Sequence, residues 1–202
     1  NPLIKRIPKE LIGDWKKYLV VFLFLVLTIG FVSGMYVANE SMITSANEGV
    51  IKYKQEDGHF ELKKQADATL LSAIETGEKA DFKATKTTLY ENFFRNEEED
   101  YNNDGKKDGT IRVFAKTKDI NLACMLQGSF PQKADEIAID RMHADNVGIK
   151  VGDTITVSGE TYKVVGLLAY VNYSTLHEKT TDLMFDALKF DVAMVTQDGF
   201  DR

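Results

Sequence analysis

The sequence has little cysteine, and its basic residues form no cluster outside the N-terminal segment. Cys124 is the one cysteine, so no disulfide can form within the chain and packing must stabilise the fold. The apolar neighbours of Cys124 favour a buried, inert thiol over a reactive one. The net charge of −6 and the lack of basic clusters argue against nucleic-acid binding.

Motifs of catalysis are also missing. The sequence contains no G-x-S-x-G, H-E-x-x-H or Walker phosphate loop. His59, His143 and His177 are far apart, and we interpret each as a surface residue rather than a metal ligand. The carboxylates of residues 97–100 lie in a run that is predicted to be exposed, where no apolar pocket shifts a pKa. The sequence therefore predicts no enzyme activity, no catalytic residue and no organic cofactor in this chain.

The longest apolar run covers residues 18–38 and contains no charged side chain. A helix rising about 1.5 Å per residue would reach roughly 31 Å over this run, which matches the hydrocarbon core of a bilayer. A cleaved signal peptide is the competing interpretation. Its apolar core usually has about 7 to 15 residues and ends at small residues, whereas this run ends at Tyr36, Val37 and Ala38. The run therefore predicts a transmembrane helix.

The charge differs on the two sides of this helix. Residues 1–17 carry five basic and two acidic side chains, a balance of +3, so the whole-chain charge of −6 leaves −9 for the remainder. The positive-inside rule then predicts a cell-membrane protein with a cytoplasmic N-terminus and an extracellular main domain. Residues 1–17 form an amphipathic leader, for which two interpretations stay open: a helix in the cytoplasmic lipid interface, or a flank that only sets the topology.

Two features of the helix indicate what it contacts. Gly30 and Gly34 form a small-xxx-small pattern, which lets other transmembrane helices or a second copy of the chain approach closely in lipid. Beyond the apolar run, apolar residues continue at helical spacing among polar ones. Residues 39–50 are therefore predicted to be a helical stalk that ends near Gly49 and can relay movement between the membrane and the domain.

Residues 51–202 form the predicted extracytoplasmic domain, which begins with a change of periodicity. Apolar residues alternate on both sides of Asp57 and Gly58, and this pattern predicts a β-hairpin. A helix is predicted next, with Asp67 as its N-cap and Gly77 near its end.

The most polar stretch, residues 95–109, is predicted to be an exposed connection between strands near 87–94 and 110–115. It contains D-x-N-x-D-G-x-x-D, in which alternate side-chain oxygens and a glycine turn can wrap Ca²⁺, as in the short calcium loops of β-propeller and thrombospondin-type repeats. It is not an EF-hand, because Ile111 stands at the twelfth position, and a solvated turn is the alternative. The predicted calcium ligands are Asp100, Asn102, Asp104 and Asp108.

The stretch from residue 128 to residue 168 has the clearest succession of elements. It predicts a turn at Gly128, a strand over 136–140, a helical turn over 141–147, a left-handed cap at Gly148, and two strands over 154–157 and 162–167 joined by a tight turn at 158–160.

This succession resembles the extracytoplasmic domain of permease subunits in the FtsX/MacB-like family of ABC transporters. A basic leader and a transmembrane helix directly before the outer domain are also that family's order. The resemblance covers residues 3–40 and 128–168. In the second stretch it rests on Gly128, Pro131, Glu136, Ile137, Gly148, Val151, Gly152, Asp153, Ile155, Gly159, Val164, Val165 and Gly166.

The resemblance implies an α+β fold class, with one transmembrane helix and a mixed α/β extracytoplasmic domain of small antiparallel sheets and hairpins. It implies that a separate cytoplasmic ATPase subunit binds and hydrolyses ATP. The chain would couple that hydrolysis to movement of the outer domain, for export or handling of a peptide, lipid or other amphiphile. The expected partners are the ATPase, other transmembrane helices or a second permease copy, and membrane lipid, with further spans expected beyond Arg202.

Two other classes of protein share the predicted anchor. A single-pass surface protein with a calcium-stabilised extracellular binding module has the same topology and requires the predicted calcium ligands. A bitopic sensor requires a cytoplasmic signalling domain, for which a leader of residues 1–17 is too short.

The C-terminal end of the sequence contains a dense apolar group followed by a predicted strand over 192–195. We expect this group to belong to the core, the alternative being a surface for a second subunit or an apolar cargo. Its members are Leu183, Met184, Phe185, Leu188 and Phe190.

Overall fold

The structure is a computed structural model that describes residues 12–76, 88–179 and 181–202. The chain divides into two units, Asn1–Glu48 and Gly49–Arg202. Most of the predicted leader, Gly77 as the end of the second helix, and residue 87 as the start of a strand lie outside the described residues.

Helix α1, Trp15–Lys52, contains the whole predicted span and is the one described helix that is long and apolar enough to cross a membrane. None of its residues is buried within the chain. It ends at Lys52 rather than near Gly49, because Lys54 adopts the left-handed conformation with φ 49°. The N–H of Gln55 then bonds the carbonyl of Val50 at 3.0 Å, which closes the last turn.

The predicted hairpin around Asp57 and Gly58 is wrong, since the structure has no strand between Tyr53 and the next helix. Ile51, which would begin the alternation, belongs to α1 and is 82% exposed. Helix α2, Ala68–Thr76, follows. The predicted N-cap is confirmed, because the Leu70 N–H donates to the Asp67 carboxylate at 2.7 Å.

The predicted fold class is confirmed, and the strands of the second unit form one mixed sheet rather than several small antiparallel ones. Two parallel pairings, β2–β7 and β4–β6, join segments distant in sequence, which local patterns do not reveal. The strands are β1 Phe94–Asp100, β2 Gly109–Ala115, β3 Cys124–Gly128, β4 Glu136–Asp140, β5 Thr154–Val157, β6 Glu160–Ala169 and β7 Phe190–Val195.

The strand order is β3-β6-β4-β7-β2-β1-β5, and β5 also pairs with β6. Six strands therefore close into a ring, with β3 added along the far half of β6. Short helices follow two of the strands: α3, Arg141–Val147, comes directly after β4, and α4, Gln197–Phe200, comes after β7. A single 3₁₀ turn, Val171–Tyr173, follows β6.

The central strands are buried on both faces, and each face has its own apolar core. Alternate residues of β7 belong to different cores: Ala193 packs in the first, and Val192 and Met194 pack in the second. The first core includes Ile111, Ile137, Ile155 and Val164, and the second includes Phe114, Leu168, Tyr170, Leu176 and Phe190. Burial on both faces explains the nearly unbroken apolar run of β7.

Two predictions about exposure are wrong. Residues 95–100 were expected in an exposed connection, but they belong to β1, which pairs with β2, and only residues 101–108 form the connection. Of the apolar group near the C-terminus, only Phe190 is in the core. The other four, which we call the apolar loop, are exposed by 99% (Leu183), 84% (Met184), 47% (Phe185) and 52% (Leu188).

Candidate functional site

Three ionisable side chains from three different elements meet in the interior of the domain, and we call them the acid–histidine cluster. Glu99 comes from β1, Asp191 from β7 and His143 from α3. Glu99 is one residue before the end of β1 and faces the same side as Glu97, which pairs with Ile111 of the first core. Asp191 also pairs with Ile111, so both acids lie on the face of that core.

Local chemistry places the histidine. Asp140 ends β4 and caps α3, because its carboxylate accepts the Met142 N–H at 2.7 Å. Gly148, at φ 85°, closes the same helix, as the sequence predicts. A helix of seven residues held at both ends directs His143 inward beside Ala144 of the first core.

Every member of the cluster has an exposed fraction of 0%. His143 Nε2 lies 3.3 Å from Glu99 Oε1, and His143 Nδ1 lies 2.8 Å from the carbonyl oxygen of Ala187. Because a carbonyl only accepts, Nδ1 carries a proton and donates it. Asp191 Oδ1 accepts the N–H groups of Val192 at 2.7 Å and Asp140 at 3.1 Å.

The pKa values reflect burial and mutual charge. Burial alone lowers the pKa of His143, but the charges of Asp191 and Glu99 and the bond to Ala187 outweigh it and raise that pKa to about 9. Burial raises the pKa of Asp191 well above its ordinary value, against the opposing charge of His143. Burial likewise raises the pKa of Asp140, against the hydrogen bond from Met142.

The cluster is the part of the site that the sequence analysis missed. His143 was interpreted as a surface residue and the acidic run was expected to lie in solvent, and both interpretations are wrong. One signal was present: Asp191 is the single charged residue in the strand FDVAMV. Within the described residues, the cluster is the one group of three or more His, Cys, Asp or Glu side chains whose ligand atoms all lie within 4.8 Å of one another.

Asp100 ends β1 and the other three predicted calcium ligands lie along the β1–β2 connection, where backbone N–H groups occupy several of the ligand oxygens. Asp100 accepts the N–H of Asp104 at 3.1 Å and that of Gly105 at 2.8 Å. Asp104 accepts the Lys106 N–H at 2.9 Å and pairs with the Lys106 amine at 3.3 Å. The Asn102 amide is 3.4 Å from Asp108 Oδ1. The calcium site stays a prediction.

A second arrangement involves the residues that follow α1, and we call it the joint: residues 53–56 together with residues 121–124. The N–H groups of Asn121 and Leu122 donate to the carbonyls of Lys54 at 3.0 Å and Tyr53 at 2.8 Å. The Tyr53 hydroxyl donates to Cys124 Sγ at 2.8 Å, so this thiol is a half-buried hydrogen-bond acceptor rather than a core residue.

The side chains of Asn121 and Glu56 complete the joint. The Glu56 N–H donates to Asn121 Oδ1 at 3.0 Å, and the Asn121 amide donates to the Glu56 carboxylate. Asn172 adds a contact of 3.4 Å to the same carboxylate. Asn121 is 4% exposed. The segment after α1 is therefore fixed to the entrance of β3.

Comparison with known proteins agrees with this architecture. The sequence profile of the MacB-like periplasmic core domain matches residues 20–197, which include most of α1, the joint, all seven strands and the acid–histidine cluster. Neither curated proteins nor solved structures gave a match. The match also covers the middle of the domain, where the sequence resemblance was weak. The chain therefore belongs to the MacB-like periplasmic core domain family and is a membrane protein with an extracytoplasmic domain of the ABC transporter permease type.

Proposed function

We propose that this chain is part of a permease subunit that couples ATP hydrolysis, carried out by a separate cytoplasmic subunit, to movement of its outer domain. The 202 residues contain no phosphate-binding loop, which supports ATP hydrolysis by a separate subunit. The outer domain would export or handle a peptide, lipid or other amphiphile. In this proposal the chain itself has no enzymatic role.

The observation that carries the proposal is the continuity from helix to joint. Helix α1 is unbroken from Trp15 to Lys52, and the residues directly after it are hydrogen-bonded to the entrance of β3. An α-helix is stiff over such a length, because each N–H is bonded within the helix. A displacement of α1 by the ATPase would therefore reach β3 through the joint.

The exposed apolar loop is a proposed contact surface of the outer domain. Leu183 and Met184 are almost fully exposed, although exposed apolar side chains are costly in water. Flexible methionine side chains suit variable apolar partners. We assign this loop to contact with an amphiphilic cargo or a second permease copy.

The proposed topology places the N-terminus in the cytoplasm. We expect an impermeant maleimide to label Lys106→Cys in intact cells, in a Cys124→Ser background, because the Lys106 side chain is 80% exposed on the domain. Lys16→Cys, on the basic side of the span, should be labelled only after lysis. Labelling of Lys16→Cys in intact cells would show that the N-terminus lies outside the cell and would contradict the proposed topology.

The coupling itself is tested in the complete permease reconstituted with its ATPase. Hydrogen exchange of β3 and β6 is measured with and without ATP, in the unmodified protein and in Asn121→Ala. We expect ATP to change the exchange of these strands in the unmodified protein and to leave it unchanged in Asn121→Ala, while hydrolysis continues in both.

A matched control is Asn146→Ala, which removes an exposed amide that donates to the Met142 carbonyl at 2.7 Å. It should respond to ATP like the unmodified protein. The proposal fails if ATP leaves the outer domain unchanged, or if Asn121→Ala responds as fully as the control.

A further inference from the structure

We propose that Glu99, His143 and Asp191 bind one divalent metal ion, zinc or a chemically similar transition metal, in the interior of the domain. This inference is independent of the proposed transport function. Imidazole nitrogen combined with carboxylate oxygen is a donor set that zinc accepts.

The donor atoms of the cluster are closely spaced. The three ligand atoms lie within 4.8 Å of one another, and His143 Nε2 is 3.3 Å from Glu99 Oε1. Zinc binds nitrogen and oxygen at about 2.0 to 2.2 Å, and a tetrahedral arrangement with such bonds separates neighbouring ligand atoms by roughly 3.3 to 3.5 Å. The histidine and the glutamate already stand at that spacing.

The buried donor atoms have no hydrogen-bond partner within the described part of the chain. Among the residues that the structure describes, neither oxygen of Glu99, nor Oδ2 of Asp191, nor Nε2 of His143 makes a hydrogen bond, although all are buried. Buried polar atoms are nearly always satisfied, and carboxylates most of all. An ion held between these atoms would satisfy all three side chains.

The orientation of the imidazole also suits metal binding. His143 Nδ1 donates to the Ala187 carbonyl at 2.8 Å, so Nε2 is the nitrogen that faces the two acids. Metal-binding histidines usually donate their other ring N–H to a carbonyl or carboxylate, which fixes the tautomer and the ring plane. Asp191 is fixed in the same way, through the N–H groups of Val192 and Asp140 on its Oδ1.

The charge of the cluster also suits a divalent cation. Two ionised carboxylates beside a neutral imidazole carry a charge that one divalent cation neutralises. Protons on His143 and on one of the two carboxylates are the alternative occupants of the cluster, and the measurements below distinguish them from the ion. Because the site is closed, the ion would enter as the domain folds, and its binding would stabilise the folded state.

The test uses the full chain in detergent, produced in zinc-supplemented cells and washed free of loosely bound metal. We expect about one zinc per chain by elemental mass spectrometry. Thermal unfolding should occur at a lower temperature after removal of the ion by unfolding with a chelator and refolding. Cobalt added during refolding should give the visible absorption bands of a low-symmetry cobalt site.

The matched variants are Asp191→Asn and Glu99→Gln, which keep size and remove one charge each. Each should weaken zinc binding by more than about 100-fold, since even outer-shell partners contribute about 10- to 100-fold. The control is His59→Gln, whose ring is exposed and 2.8 Å from Glu56, and which should bind zinc like the unmodified chain. Circular dichroism of each variant reports whether it has folded.

Two results would overturn the proposal: an unmodified chain that refolds equally well with and without zinc and holds none, or folded Asp191→Asn that binds zinc as tightly as the control. If both variants fail to fold, the site is tested in the unmodified chain by nuclear magnetic resonance with ¹⁵N-labelled histidine. Zinc present during refolding must then shift the Nε2 resonance of His143, and an unchanged resonance refutes the site.

Discussion

Asn121 contacts Glu56 through both atoms of its amide: Oδ1 accepts the Glu56 N–H at 3.0 Å, and the amide nitrogen donates to the Glu56 carboxylate. The two residues are far apart in sequence, and they connect the segment after α1 with the entrance of β3. Asn121 also has φ 48°, a left-handed conformation that asparagine adopts more readily than most residues. One residue thus supplies both the backbone turn and the side-chain contacts of the joint.

We predict that Asn121→Ala lowers the free energy of unfolding by about 1 to 3 kcal/mol, because it leaves the half-buried Glu56 N–H without its acceptor and strains the left-handed backbone. Asn121→Gly, which relieves the strain but not the lost bonds, should lose less than Asn121→Ala. Urea unfolding of the full chain in detergent measures both. Equal stability of the alanine variant and the unmodified chain would show that the joint contributes nothing.

A second prediction concerns two glycines with positive φ. At Gly128, φ 77°, an added Cβ would stand 2.2 Å from the Val165 carbonyl oxygen, whereas at Gly159, φ 88°, it would meet nothing within 4 Å. Gly128→Ala should therefore cost roughly 3 to 5 kcal/mol of stability, and Gly159→Ala only the conformational strain of about 1 to 2 kcal/mol. Thermal unfolding compares them, and similar losses would contradict the close approach of β3 and β6.

A third prediction separates the apolar loop from the second core. Leu183 is 99% exposed, while Leu176 is 1% exposed. Leu176→Ala should destabilise the chain by about 2 to 5 kcal/mol, and Leu183→Ala by less than about 0.5 kcal/mol. Chemical denaturation tests the pair. A large loss for Leu183→Ala would mean that the loop packs against the protein rather than facing a partner.

A fourth prediction concerns the β1–β2 connection. If the four predicted ligands hold calcium, isothermal titration should give a dissociation constant of roughly 10⁻⁴ to 10⁻³ M, the range of extracellular sites. Asp104→Asn should abolish binding, because it removes a charged ligand, while the exposed Asp145→Asn on α3 should not. If the unmodified chain gives no heat of binding at millimolar calcium, the connection is a hydrogen-bonded turn and not a calcium site.

The parts of the fold that depend on neighbouring residues in sequence were predictable. The Asp67 cap, the Gly148 cap and strand β4 all rest on backbone chemistry that acts within a few residues, and the structure confirms them. The apolar span is equally local, since its length and composition identify it.

The candidate site could not be predicted in the same way. Glu99 is buried because β1 pairs with β2 on one side and with β5 on the other, and Asp191 meets it through the parallel β2–β7 pairing. These pairings join segments that are distant in sequence. The local composition of the acidic run therefore indicates exposure, although the sheet buries Glu99. The hairpin prediction failed for a related reason: the backbone carbonyls of Tyr53 and Lys54 accept the N–H groups of Leu122 and Asn121, which are distant in sequence.

Dependence on a separate ATPase is tested by affinity purification of the full-length protein from the membranes of a host that makes it naturally, followed by identification of its partners. We expect an ATPase subunit with a Walker phosphate loop to copurify in fixed proportion and to hydrolyse ATP in the complex. Purification of intact protein without any ATPase subunit would contradict a permease that draws its energy from a partner.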